Sequence, residues 1–428
     1  MKGKNIVRRQ LKSLALLFVL MLFLEGCSSF GKGIVEGLLE KSEEEDTRAC
    51  QIWSKGFSGI NESINREEKK TKVLMVHGVG HHIPGYSTIL LEKLAKELDL
   101  PVMESPYKEL TLTDPDTPSK NLGNLRLNRL LSKDRSRELL FYEMTWSNIS
   151  QSEKEVLAYD NSGQHSFRRA KINDILKKFS NDAIADPLIY LGDKQEDIQI
   201  SVSESTCWMM AHGWSDFPSG AHKPCDAFTP AALINAEKDD HIFISHSLGS
   251  RITIDALQRT ARLINDKNIR EEYPDLERLH HVIQDRVVTI FMLSNQLPLL
   301  QLGRSLPEVL NEHEKYCSSQ GSNYSERFAN QTHIVAFSDP NDLLSYAIPE
   351  GFKDKYLDSR MCTTVSNISL NIANVVDVFG FSDVANPMEA HLGYNNDDRV
   401  VALIAHGLSN QNMAPVIKER CSWTELTH

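Results

Sequence analysis

Long apolar runs are missing from this 428-residue sequence. The longest, Leu14–Leu24, has eleven residues, against the roughly 20 that a membrane-crossing helix needs. A multi-span membrane protein is therefore excluded. Positive charge is in short supply too. The 47 Lys and Arg face 58 Asp and Glu, a net of −11. No nucleic-acid partner is expected, since general binding to phosphates needs a basic surface. Internal repeats and low-complexity tracts are absent, and 41% hydrophobic with 25% charged residues is the balance of a globular chain, not a disordered or collagen-like one. Cysteine is sparse. There are seven, with no CxxC pair and no close Cys/His cluster, so neither a metal nor a cofactor is implied.

What is present begins with an address. Lys2, Lys4, Arg8, Arg9 and Lys12 precede the apolar run, the build of a secretory signal peptide. Leu24-Glu25-Gly26-Cys27, followed by Ser28 and Ser29, resembles the lipobox of bacterial lipoproteins, whose cysteine is lipidated and becomes the new N-terminus. Glu25 departs from that pattern, in which a small or apolar residue is usual. The resemblance implies removal of residues 1–26 and a lipid anchor at Cys27. It also implies a place in the bacterial cell envelope, with Ser28 pointing to the outer membrane. Without residues 1–26 the chain has 42 basic and 57 acidic residues, a net of −15. The lipid, not a basic patch, would then hold the membrane. Cysteines 50, 207, 225, 317, 362 and 421 remain, an even number suited to three disulfides in an oxidising compartment. Cys207–Cys225 is the most local pairing, Cys50–Cys421 ties the ends together, and Cys317–Cys362 is then left. Buried free thiols are the other reading.

Residues 27–70 read as a stalk or a peripheral segment, with the acidic run Ser42–Asp46 on a solvated helix face or stalk. From Lys72 the character changes. Short apolar runs at Val73–Val76, Leu139–Trp146, His241–Ile244, Val287–Leu293, His333–Phe337 and Ile368–Ala373 alternate with amphipathic stretches. Helical patterns cover Ser87–Leu98, the residues after Ile244 to about Ile264, and Val400–Leu408. Buried strands separated by helices pair in parallel through crossovers. The class is therefore α/β, with one mainly parallel central sheet flanked by helices. The main domain is expected at 71–410, with a cap-like insertion at about 147–238 over the functional edge, of which Asn181–Met210 is expected to include the helix leading into the third run, and a tail at 411–428.

Ser245-His246-Ser247-Leu248-Gly249 lies where the third run meets its helix. It resembles the G-x-S-x-G nucleophile elbow of α/β-hydrolases, and more closely the G-H-S-L-G form of lipases. Such an elbow needs small flanking residues because the backbone crowds the turn. Ser245 stands in place of the first glycine. Val73-Leu-Met-Val-His77-Gly78-Val79-Gly80 resembles the H-G-x-G strand end that supplies an oxyanion-binding N–H in lipases and esterases. His77 reads as a hydrogen bonder that stiffens this loop. His391, in Glu389-Ala-His-Leu-Gly-Tyr394, resembles the H-x-x-Y loop after the last strand of lipase-like hydrolases. Phe337-Ser-Asp339-Pro-Asn-Asp342-Leu-Leu offers two acids at the end of the fifth run. Asp342, before two apolar residues, is favoured, and Asp339 is the alternative.

The resemblance implies an α/β-hydrolase fold and a lipase- or esterase-like serine hydrolase. Ser247 is the expected nucleophile, His391 the base, Asp342 the acid that orients it, and Val79 and Leu248 the N–H donors of an oxyanion hole. The expected substrate is a carboxylic ester: an acyl-lipid, a phospholipid or a small ester. The other reading is a surface lipoprotein that keeps the hydrolase scaffold, catalytically silent, as a binding module.

Overall fold

A period of two runs through the apolar segments and decides the layering. The computed structural model describes residues 48–426, apart from residue 68, most of 159–183, 379–381 and 412. The signal peptide, Cys27 and part of the expected cap lie outside the described residues. Among the described residues eleven strands form one sheet. They are β1 (Cys50–Ser54), β2 (Thr71–Val76), β3 (Val102–Met103), β4 (Lys108–Thr113), β5 (Asn121–Leu131), β6 (Glu138–Thr145), β7 (Asp240–His246), β8 (Val287–Leu293), β9 (Gln331–Ser338), β10 (Thr363–Leu370) and β11 (Ser422–Glu425). Their spatial order is β11-β1-β10-β9-β8-β7-β2-β6-β5-β3, with β4 on β5. The central strands β6-β2-β7-β8-β9-β10 are parallel, and β5 and β1 flank them antiparallel.

The helices on the sheet or at its carboxyl edge are α1 (Thr88–Glu97), α2 (Ser147–Ala158), α3 (Ala185–Leu191), α4 (Gln195–Ala211), α5 (Leu248–Asn265), α6 (Pro387–Leu392) and α7 (Asp398–His406). Leu74, Val76, Phe243, Ile290, Met292, Ile334 and Ala336 point into one apolar layer, closed by Val202 and Trp208 of α4 and Ile252 and Leu257 of α5. The alternate residues Val73, Met75, Ile242, Ile244, Phe291, Leu293, Val335 and Phe337 point into the other. Leu90 and Leu94 of α1 and Val400 and Leu403 of α7 close that layer. Burial of such side chains contributes about 1.5–3 kcal/mol each. The class is α/β, with a mostly parallel sheet flanked by helices.

Strand order reverses at β2, which lies between β6 and β7. Ligands of open α/β sheets bind beyond the carboxyl ends of the strands at such a switch point. Among the described residues no helix is long and apolar enough to cross a membrane.

The sheet extends beyond the expected 71–410 at both ends, because β1 and β11 join it at one edge. Ile52 of β1 sits opposite Ile368 of β10 and Trp423 of β11. The helix expected within Asn181–Met210 is α4. α4 lies along the face of the sheet because Val202 and Trp208 are buried there, and Met210 O accepts from Lys72 Nζ (3.2 Å) at the amino end of β2. The Cys207–Cys225 stretch runs from that end back up the sheet, where His222 bridges Thr111 of β4.

Disulfides join Cys50 to Cys421, Cys207 to Cys225 and Cys317 to Cys362. The first staples β1 to the segment leading into β11. Replacing both Cys50 and Cys421 with Ser is expected to lower unfolding free energy by roughly 2–4 kcal/mol, measured by urea titration. An unchanged midpoint would contradict the staple.

Candidate active site

β7 ends in a turn so tight that Ser247 has φ 55° and ψ −126°. A non-glycine residue there stores about 1–3 kcal/mol of strain. The neighbourhood fixes it: Ser247 N–H donates to Leu293 O (2.9 Å), and Ser250 N–H donates to Ser247 O (3.0 Å). Only glycine fits at 249, where a Cβ would lie 2.5 Å from Val76 O. Ser245 takes the place of the first glycine of the motif without exposure, its hydroxyl facing Phe291 O at 3.4 Å.

Ser247 Oγ is 3.1 Å from His391 Nε2. His391 Nδ1 is 2.9 and 3.1 Å from the two oxygens of Asp342. A carboxylate only accepts, so Nδ1 carries the proton and Nε2 is a bare acceptor for the Ser247 hydroxyl. His391 is not in a loop but in α6, whose N-terminus is capped by the Asn386 side chain accepting from Met388 and Glu389 N–H. Burial alone would raise the Asp342 pKa. Donation from His391, Ser294 Oγ (2.7 Å) and Leu344 N–H (3.0 Å) outweighs it and holds the carboxyl below its usual value. Asp342 thus stays anionic behind the imidazole.

Asp339 stands elsewhere. Its carboxylate accepts from the backbone N–H groups of Asn341 (2.7 Å), Ile372 (2.6 Å) and Ala373 (3.2 Å). It ties the loop after β9 to the chain leaving β10.

The Gly78 loop packs directly on the elbow, since a Cβ at Gly78 would lie 2.5 Å from Ser247 Cβ. Val79 is the next residue in that loop. Leu248 opens α5, where the first N–H groups lack intrahelical acceptors and the helix dipole is positive. His77 holds the loop: its Nδ1–H donates to Gly78 O (2.8 Å) and its Nε2 accepts from Trp146 N–H (3.0 Å). Its ring also stacks on Trp146, with centroids 4.8 Å apart. Burial pushes the His77 pKa well down, so it is neutral. Gly80 N–H donates to Asp186 of α3 (2.7 Å), and Asp186 in turn takes Lys154 of α2 (2.7 Å) and Ser150 Oγ (2.8 Å). Burial, with the neighbouring His391, pushes His246 down to about 3. Neutral His246 donates through Nε2 to His391 O (2.9 Å) and adds no charge beside the imidazole.

Ser294, Gln296 and Asp186 have no sequence motif. Ser294 has φ 51°, and its hydroxyl lies 3.0 Å from His391 Nδ1 as well as on Asp342. Gln296 Nε2 lies 2.9 Å from Ser247 Oγ. The only signal of Ser294 and Gln296 is position, just after the apolar run Val287–Leu293. Among the described residues no group of three His, Cys, Asp or Glu could hold a metal. A surface cleft of about 1100 Å³ is lined by residues such as Asn61, His406 and Trp423 and contains none of these groups. Hydrogen bonding, not cavity size, locates the site. Comparison with protein-family models, curated proteins and solved structures gives no match.

Phosphonylation by a fluorophosphonate reads the reactivity of Ser247. Asp342→Asn is expected to slow labelling by roughly 10⁴, because an amide no longer holds the Nδ1–H tautomer. Asp339→Asn is expected to lower the melting temperature and leave labelling of the folded protein largely intact. The reverse ranking would make Asp339 the acid.

Proposed function

We propose that the chain is a serine hydrolase of the α/β-hydrolase type that cleaves carboxylic esters through an acyl-enzyme on Ser247. The observation that carries this reading is the hydrogen-bonded series Ser247 Oγ, His391 Nε2, His391 Nδ1 and Asp342. Its residues follow the chain order nucleophile, acid, histidine, and the series lies at the reversal of strand order.

His391 takes the Ser247 proton as Oγ bonds to the ester carbon. The carbonyl electron pair moves onto oxygen, where the Val79 and Leu248 N–H groups hold the negative charge. The pair returns, the carbon–alkoxide bond breaks, and His391 gives its proton to the departing alcohol. Water, deprotonated by His391, then attacks the acyl-enzyme and releases the acid and Ser247. Asp342 keeps the imidazole oriented and stabilises its protonated form. Ser247 has no exposed surface and His391 only 5%, so the hydroxyl and the imidazole are screened from bulk water.

The substrate class we assign is an acyl-lipid, phospholipid or small ester. The site belongs to a bacterial envelope protein anchored through lipid on Cys27, in the outer membrane. The basic start, the apolar core and Leu24-Glu-Gly-Cys27 support that placement.

Wild-type protein is expected to hydrolyse p-nitrophenyl esters from a panel of graded chain length, and Ser247→Ala to lose roughly 10⁴-fold or more in kcat. Folded wild-type protein inert to the whole panel and to fluorophosphonate would favour the binding-module reading instead. Cys27→Ser is expected to move the protein from the membrane pellet to the soluble fraction. Unchanged retention in membranes would sink the lipid anchor.

A further inference from the structure

Gln296 makes a contact with the reacting atom that the serine–histidine–aspartate series does not require. Its Nε2 lies 2.9 Å from Ser247 Oγ, and the residue is 2% exposed. The chain around it is tied on every side. Ser247 N–H reaches back to Leu293 O, Asn295 N–H donates to Phe337 O, and Leu300 N–H donates to Gln296 O. Asn295 Nδ2 donates to Tyr346 O (2.7 Å), and Gln296 N–H donates to Ser250 Oγ (3.2 Å), itself bound to Ser247 O (2.7 Å). The side chain is thus aimed by the same first turn of α5 that shapes the elbow.

Charge and proton bookkeeping fix what it presents. His391 Nε2 is bare and receives the Ser247 O–H, so the remaining lone pairs of Oγ can only accept. The amide NH2, not the amide carbonyl, must therefore face Oγ.

We propose that Gln296 is a further catalytic residue, a neutral donor on Ser247 Oγ that directs its proton to His391 and stabilises the oxygen as that proton leaves. This rests on Ser247 being the nucleophile. A donor here acts while the proton leaves Oγ and the bond to the ester carbon forms. It takes no proton itself and stays neutral throughout. Within a buried site such a hydrogen bond is worth more than in water.

Two variants test it, read by the fluorophosphonate labelling rate and by pre-steady-state acylation with a p-nitrophenyl ester. Gln296→Met keeps the volume and removes the donor. It is expected to slow acylation roughly 100-fold, with KM little changed. Gln296→Glu keeps the shape but turns the group into a donor only when protonated. The ratio of its rate to the wild-type rate is expected to rise as pH falls, as the new carboxyl gains the proton it needs in order to donate. A role in packing alone would leave Gln296→Met, of matching volume, at the wild-type labelling rate. Wild-type labelling rates in Gln296→Met, or a flat ratio in Gln296→Glu, would overturn the proposal. Thermal melts establish that each variant is folded, and either variant alone decides. If wild-type protein itself is not labelled, the failure belongs to the nucleophile reading and not to Gln296.

Discussion

The hydrogen bond between Ser247 and His391 is the contact on which every other feature of the site depends. It joins a strained turn after β7 to a short helix near the carboxyl end of the chain, 144 residues later. Neither partner is placed by its own segment alone. Ser247 is held by β8 through Leu293 O, and His391 by Asp342 from the loop after β9 and by His246 from the elbow. Parallel pairing brings these strand ends to one edge, so the site is a product of sheet order and not of local sequence.

The supporting shell shows why the strain persists. A positive φ at Ser247 and at Ser294 is tolerated because each residue also serves a neighbour. Ser294 donates to Oδ2 of Asp342, one of the two oxygens that face His391, and Ser247 lies so close to Gly78 that no larger residue fits at 78. Buried neutral histidines do the remaining positioning. His77 stiffens the Gly78 loop and His246 pins the His391 backbone; desolvation keeps both uncharged, His246 beside the imidazole that has to accept a proton.

Much of this was legible in the sequence. The six apolar runs mark the six parallel strands, although the sixth spans Thr363–Leu370 rather than Ile368–Ala373 because its first half alternates polar residues. Gly78, Gly249 and Ser247 could be read because crowding leaves few residue choices at such turns. Ser294 and Gln296 could not. They matter only once β8 lies beside β7, and their spacing from Ser247 carries no pattern. β1 and β11 were hidden for another reason. They are short flanking strands with mixed burial, Ile52 covered and Gln51 exposed, and they lack the run of apolar residues that marks a central strand. Asp339 and Asp342 could be separated in sequence only by resemblance. The structure separates them by partner: backbone N–H groups for one, an imidazole for the other.

On this account the chemistry passes through a covalent intermediate at one named atom. The most direct measurement is acid-quenched peptide mass spectrometry during turnover of a p-nitrophenyl ester. The account predicts the acyl mass on the peptide carrying Ser247, absent after Ser247→Ala. Steady hydrolysis with no acyl group on Ser247, or with the acyl group on another side chain, would contradict it.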